Sequence, residues 1–227
     1  MIDQKPLALI AGAGGGLGRT LLNRFQDGNY HAVGLGRSAL TDSGFTFRQT
    51  NLSDEGTATA AIADIIAEYG PPKIVVHNPA ELVIAPFEKT SLADYERTWS
   101  SMVKSAIVLA KATFDPMVAA NGGAFLVSGA TASLRGGAGF SAFASAKFAL
   151  RGLTQSLARE YQTKGIHVAH VILDGIIDTP HSRDLHTLDP GRMMKTEDIA
   201  EMYWQLAHQP ASTWTHELDL RPQSERF

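Results

Sequence analysis

The 227-residue chain contains no cysteine. Disulfides and thiolate-ligated metal centres are therefore excluded, and a reducing compartment, the cytoplasm, is the expected location. Charge of one sign is not in excess. Twenty Lys and Arg stand against 23 Asp and Glu, a net charge of -3, so nothing electrostatic points to nucleic acid or to an anionic membrane surface. No apolar run approaches the ~18 residues of a membrane span. The opening Met1–Pro6, with an acid and a proline ahead of a short apolar run, reads as the entry to a strand rather than as a signal peptide. Internal repeats, low-complexity tracts and linkers are also missing. What remains is 44% hydrophobic and 19% charged, the balance of one well-buried domain, and a single domain over residues 1–227 is expected.

Glycine is what the chain has in concentration. Leu7–Ile10 reads as a short buried strand, five glycines follow between Gly12 and Gly18, and a helical pattern starts at Leu17. A strand that turns this tightly into a helix needs backbone conformations and close approaches that only glycine tolerates. The turn leaves backbone N–H groups and a positive helix end aimed at one place, a seat for a diphosphate. The strict G-x-G-x-x-G spacing is met at Gly12 and Gly14 and fails at Leu17; Gly12-x-x-x-Gly16-x-Gly18 fits instead.

Beyond the turn, strands are expected at Tyr30–Leu35, Phe45–Thr50, Lys73–His77, Ala124–Ser128, Ile166–Leu173 and Glu217–Arg221. Helices are expected at Leu17–Asp27, from a Ser53 cap to Ala67, from the Ser91–Asp94 capping box to about Ala120, at Phe140–Lys164 and at Thr196–Ala207. Strands alternating with helices predict an α/β fold, a doubly wound parallel sheet of Rossmann type whose ligands bind at the carboxyl ends of the strands. The two longest helices are apolar around much of their circumference, so a homodimer or homotetramer is expected. His167 and His170 are three apart on a strand, hence on opposite faces, and no metal site is expected.

A dinucleotide fold declares its preference at the end of the second strand. Here Gly36-Arg37-Ser38 carries no acid, while Arg37 offers a bidentate phosphate contact and Ser38 a hydroxyl. NADP(H) is therefore expected over NAD(H), by about 1.5–3 kcal/mol for one charge-assisted bond.

At this point the chain resembles the short-chain dehydrogenase/reductase family over nearly its whole length. The family's Thr-Gly-x-x-x-Gly-x-Gly is matched by Ala11-Gly12-Ala-Gly-Gly-Gly16-Leu17-Gly18. The resemblance implies that Asn51 and Leu52 hold the adenine, that His77-Asn78-Pro79-Ala80 replaces Asn-Asn-Ala-Gly, and that Ile177 and Thr179 lie near the nicotinamide amide and the diphosphate. It implies a proton-transferring Tyr-x-x-x-Lys pair where this chain has Phe143-Ala-Ser-Ala-Lys147, a serine where it has Ala130, and an asparagine aligning best with Met102. Only Lys147 of that set is retained, as a residue that could still hold the nicotinamide ribose. His77, Asp174 or a neighbouring hydroxyl could replace the missing donor. The resulting expectation is an NADP(H)-binding homologue with weak or no carbonyl and alcohol oxidoreductase activity. The alternatives are an active oxidoreductase with a relocated donor and a cofactor-dependent interaction or sensor protein. No class of small-molecule substrate follows.

Overall fold

The computed structural model describes residues 5–38 and 44–224, so Met1–Gln4 of the expected strand entry lie outside the described residues. Seven strands form one sheet in which every pair is parallel: β1 (Leu7–Ala11), β2 (His31–Gly36), β3 (Thr46–Gln49), β4 (Pro72–His77), β5 (Gly123–Ser128), β6 (Ile166–Leu173) and β7 (Glu217–Leu220). Their order is β3-β2-β1-β4-β5-β6-β7. The chain winds outward from β1 to β3, then crosses back to β4 and winds the other way. The reversal opens a crevice at the carboxyl ends of β1 and β4.

The central strands are continuous apolar runs because both of their faces are covered. Along β1, Leu7, Leu9 and Ala11 enter one core, while Ala8 and Ile10 enter the other. The first core is closed by α2 (Glu55–Tyr69), α4 (Ser105–Ala119) and α5 (Ser141–Tyr161) through residues such as Ile62, Leu109 and Leu150. The second is closed by α1 (Gly16–Asp27) and α7 (Thr196–Ala207) through Leu21, Phe25, Ile199 and Tyr203.

Two helix expectations need correction. Asp54, not Ser53, caps α2, its side chain accepting the Thr57 N–H at 3.1 Å; Ser53 instead donates its hydroxyl to the Ser100 carbonyl at 2.9 Å. The long helix expected up to Ala120 is two. It opens on the expected Ser91–Asp94 capping box as α3 (Leu92–Trp99), passes through a π turn at Ser100–Lys104, and resumes as α4. The hydroxyls of Ser53 and Ser105 donate to the carbonyls of Ser100 and Ser101 at this turn. After β6, Thr179 caps a short helix, α6 (Pro180–Leu185), that the polar sequence does not announce. Among the described residues no helix is long and apolar enough to cross a membrane.

Candidate functional site

The glycine turn is built by contact as much as by conformation. Gly12 and Ala13 donate their N–H groups to the Leu35 carbonyl of β2, and Asn78 N–H donates to the Ala11 carbonyl, which ties the turn to both neighbouring strand ends. Gly12 has φ +79°, and a Cβ there would stand 2.7 Å from Pro79 N. A Cβ on Gly18 would stand 2.2 Å from the Gly12 carbonyl oxygen, and one on Gly16 (φ +49°) 2.9 Å from Thr179 Cγ2. Over Gly14 and Gly15 the space is open. Gly15 precedes α1 without any side-chain cap, and of the first-turn N–H groups Gly18's donates to the Gly15 carbonyl at 3.1 Å.

A groove of about 280 Å³ runs along the strand ends at the reversal point, lined by Gly12, Gly14, Gly15, Gly36, Arg37, Ser38, Thr50, Asn51, Leu52, Ser53, Asn78, Pro79, Ala80, Ser101 and Ser105. Nine of the residues expected from sequence to bind a nucleotide therefore meet in one place: Gly12, Gly14, Arg37, Ser38, Asn51, Leu52, Asn78, Pro79 and Ala80. Asn78 is fixed between the Gly12 carbonyl, to which Nδ2 donates at 3.3 Å, and Ser128, whose hydroxyl donates to Oδ1 at 2.8 Å. Asn51 Oδ1 is taken by the Ser53 N–H at 3.1 Å. Six expected residues do not line the groove, Lys147 of α5 among them. Leu17 is buried in the α1–α7 core, and Gly18 is a close-packing position behind the turn. Gly16 and Thr179 press on each other, with the Thr179 hydroxyl engaged at Ser182. Ile177 forms a bridge with Met194. Thr50, Ser101 and Ser105 were not legible as site residues. Thr50 Oγ1 is a buried hydroxyl with no hydrogen-bond partner, yet a threonine at a strand end carries no sequence signal of its own.

The sequence shows no acid at the end of β2, but the structure brings one there. Glu81, just past the Ala80 rim, accepts from Arg37 Nη2 at 3.2 Å. Forty-four residues separate the two in the chain, so a reading confined to the β2 end misses the contact.

Phe143 and Lys147 lie one turn apart on α5, with Lys147 Nζ 5.6 Å from the Phe143 ring centroid. Lys147 is 2% exposed, which rules out a solvated helix lysine, and it does not line the groove. Its ammonium donates to the Ser128 carbonyl at 2.8 Å, and burial holds its pKa down at about 8. Met102 is fully buried inside the π turn. The burial cost makes a prediction. Below about pH 8 the folded chain carries a buried ammonium, so Lys147→Met is expected to be more stable than the wild type, on the order of 1–3 kcal/mol. From pH 8 toward the ordinary lysine value of 10.5, the unfolded chain binds the extra proton, wild-type stability gains and the difference closes. Urea melts of both proteins across that range check it; a destabilised Lys147→Met at pH 7 would contradict it.

Both of the titratable residues considered as substitute donors, His77 and Asp174, are buried. His77 is fully buried, its Nε2 paired with Ser105 Oγ at 2.8 Å; burial, then the Lys147 charge, push its pKa down to about 3. It is neutral at working pH. Asp174 is 1% exposed, accepts from Thr131 Oγ1, and lies 3.1 Å from Arg221 and 3.5 Å from Arg135. His167 and His170 do face opposite ways, toward Thr215 and toward Ser133, and no cluster among the described residues could hold a metal. Tyr69 and Lys73 share the Tyr-x-x-x-Lys spacing by chance: Tyr69 ends α2 and stacks on His31, whereas Lys73 is in β4 and bonds the Gly122 carbonyl.

Comparison with known proteins agrees with this architecture. A family model for short chain dehydrogenases matches residues 6–188. The 3-oxoacyl-[acyl-carrier-protein] reductase of Escherichia coli (strain K12) is 25% identical over 232 residues, covering 93% of each chain. A short-chain dehydrogenase structure from Rhodopseudomonas palustris is 31% identical, with a TM-score of 0.80 over 97% of this chain and 99% of that one. The structure of ElxO with NADP bound superposes with a TM-score of 0.88 at 22% identity, over 96% of this chain and 97% of that one. With the family model spanning most of its length, on a seven-stranded doubly wound sheet, the chain belongs to the short-chain dehydrogenase family.

Proposed function

We propose that the chain binds NADP(H) along the groove and has lost most or all of the proton-transfer chemistry of its family, leaving weak or no carbonyl and alcohol oxidoreductase activity. The observation that carries this reading is an open glycine cradle joined to a phenyl ring, Phe143, one turn before a buried lysine. The residues present fit a dinucleotide. The space over Gly14 and Gly15 and the uncapped start of α1 suit a diphosphate. The unpartnered Thr50 hydroxyl, with Asn51 and Leu52, suits an adenosine end. Lys147 has one protein acceptor for the three donors of an ammonium, which leaves donors for ribose hydroxyls.

A bound nicotinamide supplies or accepts a hydride at carbon. Everything else falls to the chain's own groups. Arg37 and Ser38 would meet a 2′-phosphate, Ile177 and Thr179 would flank the nicotinamide end, and Lys147 would orient the ribose. The proton for the substrate oxygen has no source at Phe143 or Ala130. The same reading includes a homodimer or homotetramer, since Trp99 on α3 and Phe148 on α5 stand 45% and 44% exposed, and a cytoplasmic location.

Fluorescence titration with NADPH and NADH tests the binding half. NADPH is expected to bind the tighter, and Arg37→Ala to remove the difference. An NADPH affinity that Arg37→Ala leaves unchanged would take Arg37 out of the site.

A further inference from the structure

The rim of the groove holds a charge arrangement that a plain phosphate-binding arginine would not need. Arg37 lines the groove and its side chain is 63% exposed. Its guanidinium is already met by Glu81, 3.2 Å from Nη2. Glu81 is not a loose surface acid. Its side chain is 21% exposed, and its other carboxylate oxygen accepts from Arg97 Nε at 3.2 Å. Arg97 is in turn held by Asp94, the acid of the α3 capping box. Arg37 at the end of β2 and the Asp94-held Arg97 of α3 thus fix one carboxylate beside the only cation that lines the groove among the described residues.

We propose that Glu81 sets the nucleotide preference of this site by holding down the affinity that Arg37 would otherwise give to a 2′-phosphate. The proposal rests on the nucleotide-binding reading above. A phosphate arriving at Arg37 must either displace the carboxylate or lie beside it, and both raise the cost of binding an anion. A ribose 2′-hydroxyl is neutral and can donate to the same carboxylate, so NADH meets no such cost. Arg97 and Asp94 keep the carboxylate from swinging away, and without that bracing Arg37 would be free to turn wholly toward a phosphate.

The experiment is a set of equilibrium titrations of NADPH and NADH against wild type, Glu81→Gln and Arg37→Ala, at low and high salt. Glu81→Gln is expected to tighten NADPH by about three- to tenfold, the scale of one exposed charge pair, and to leave NADH within about twofold. The gain should shrink at high salt, because the interaction is between exposed charges; a merely structural effect of the substitution would not respond to salt. An unchanged NADPH-to-NADH ratio in Glu81→Gln, or weaker NADPH, while Arg37→Ala still abolishes the NADPH preference, would overturn the role of Glu81 and leave the binding site standing. Failure of all three proteins to bind either dinucleotide would overturn both.

Discussion

Replacing Phe143 by tyrosine is expected to raise NADPH-dependent reduction of simple ketones by about 10²–10⁴, the usual share of a positioned general acid. The expectation rests on what is still in place. The ring is on α5 one turn from Lys147, whose Nζ lies 5.6 Å from its centroid. A phenol there would come under the field of a buried cation, which lowers its pKa. Lys147 is not committed elsewhere, since Ser128 carbonyl takes one of its three donors. Adding Ala130→Ser should improve orientation of the carbonyl, but the two gains should not simply multiply, because groups acting as one unit are non-additive. The check is a steady-state comparison of wild type, Phe143→Tyr and Phe143→Tyr/Ala130→Ser across a ketone panel. Rates for Phe143→Tyr that stay at the wild-type level would mean that the site has lost more than its donor, Met102 in the π turn being the next position to examine.

The second large effect separates two glycines of the same turn. Gly18→Ala is expected to destabilise the fold by about 1–3 kcal/mol, as overpacking does, and to weaken dinucleotide binding by on the order of a hundredfold, the cost of a misplacement near 1 Å. Its Cβ would stand 2.2 Å from the Gly12 carbonyl oxygen and 2.8 Å from Ala13 Cα. Both are backbone atoms that cannot rotate away, so α1 and the turn must part. Gly14→Ala is expected to behave differently. Nothing lies within 4 Å of the added methyl, so stability should hold, while the methyl projects into space that a ligand would use. Thermal melts and NADPH titrations on the two variants read both effects. A Gly14→Ala protein that binds NADPH as tightly as wild type would remove the glycine cradle from the site.

Much of the fold was legible because the strands are buried on both faces and so read as unbroken apolar runs, as Ile74-Val75-Val76 does in β4. The helices were legible in extent but not in their breaks. The apolar pattern of α3 and α4 runs straight through Ser100–Lys104, and Ser53, which donates to the Ser100 carbonyl in the π turn, comes from another element. Ser53 and Asp54 are both good caps, and which of them caps α2 is settled by backbone conformation that residue type does not specify. The last strand adds a pairing across 66 residues that residue type does not announce: Glu217 of β7 accepts from Arg151 Nε at 2.8 Å and Nη2 at 2.8 Å, and those bonds hold its pKa down at about 2.

The site divides along the same line. Residues that belong to contiguous motifs could be placed at the groove, Gly12 and Gly14 from their spacing and Asn78-Pro79-Ala80 from the family resemblance. Those whose role depends on a long-range approach could not. Glu81 reaches Arg37 across 44 residues, and Thr50 matters only because its hydroxyl is left without a partner at the groove. His77 looked available for proton transfer at a strand end; the fold seals it in the core against Ser105 and Lys147, where its proton is lost well below neutral pH.

The most direct test is a single-turnover experiment in which the wild-type protein, saturated with NADPH, is mixed with a panel of ketones and aldehydes while bound and oxidised dinucleotide are followed together. The predicted result is saturable, tight NADPH binding with hydride transfer absent or slower by orders of magnitude than in Phe143→Tyr. Rapid oxidation of NADPH by the wild type, or no binding of NADPH at all, would contradict it.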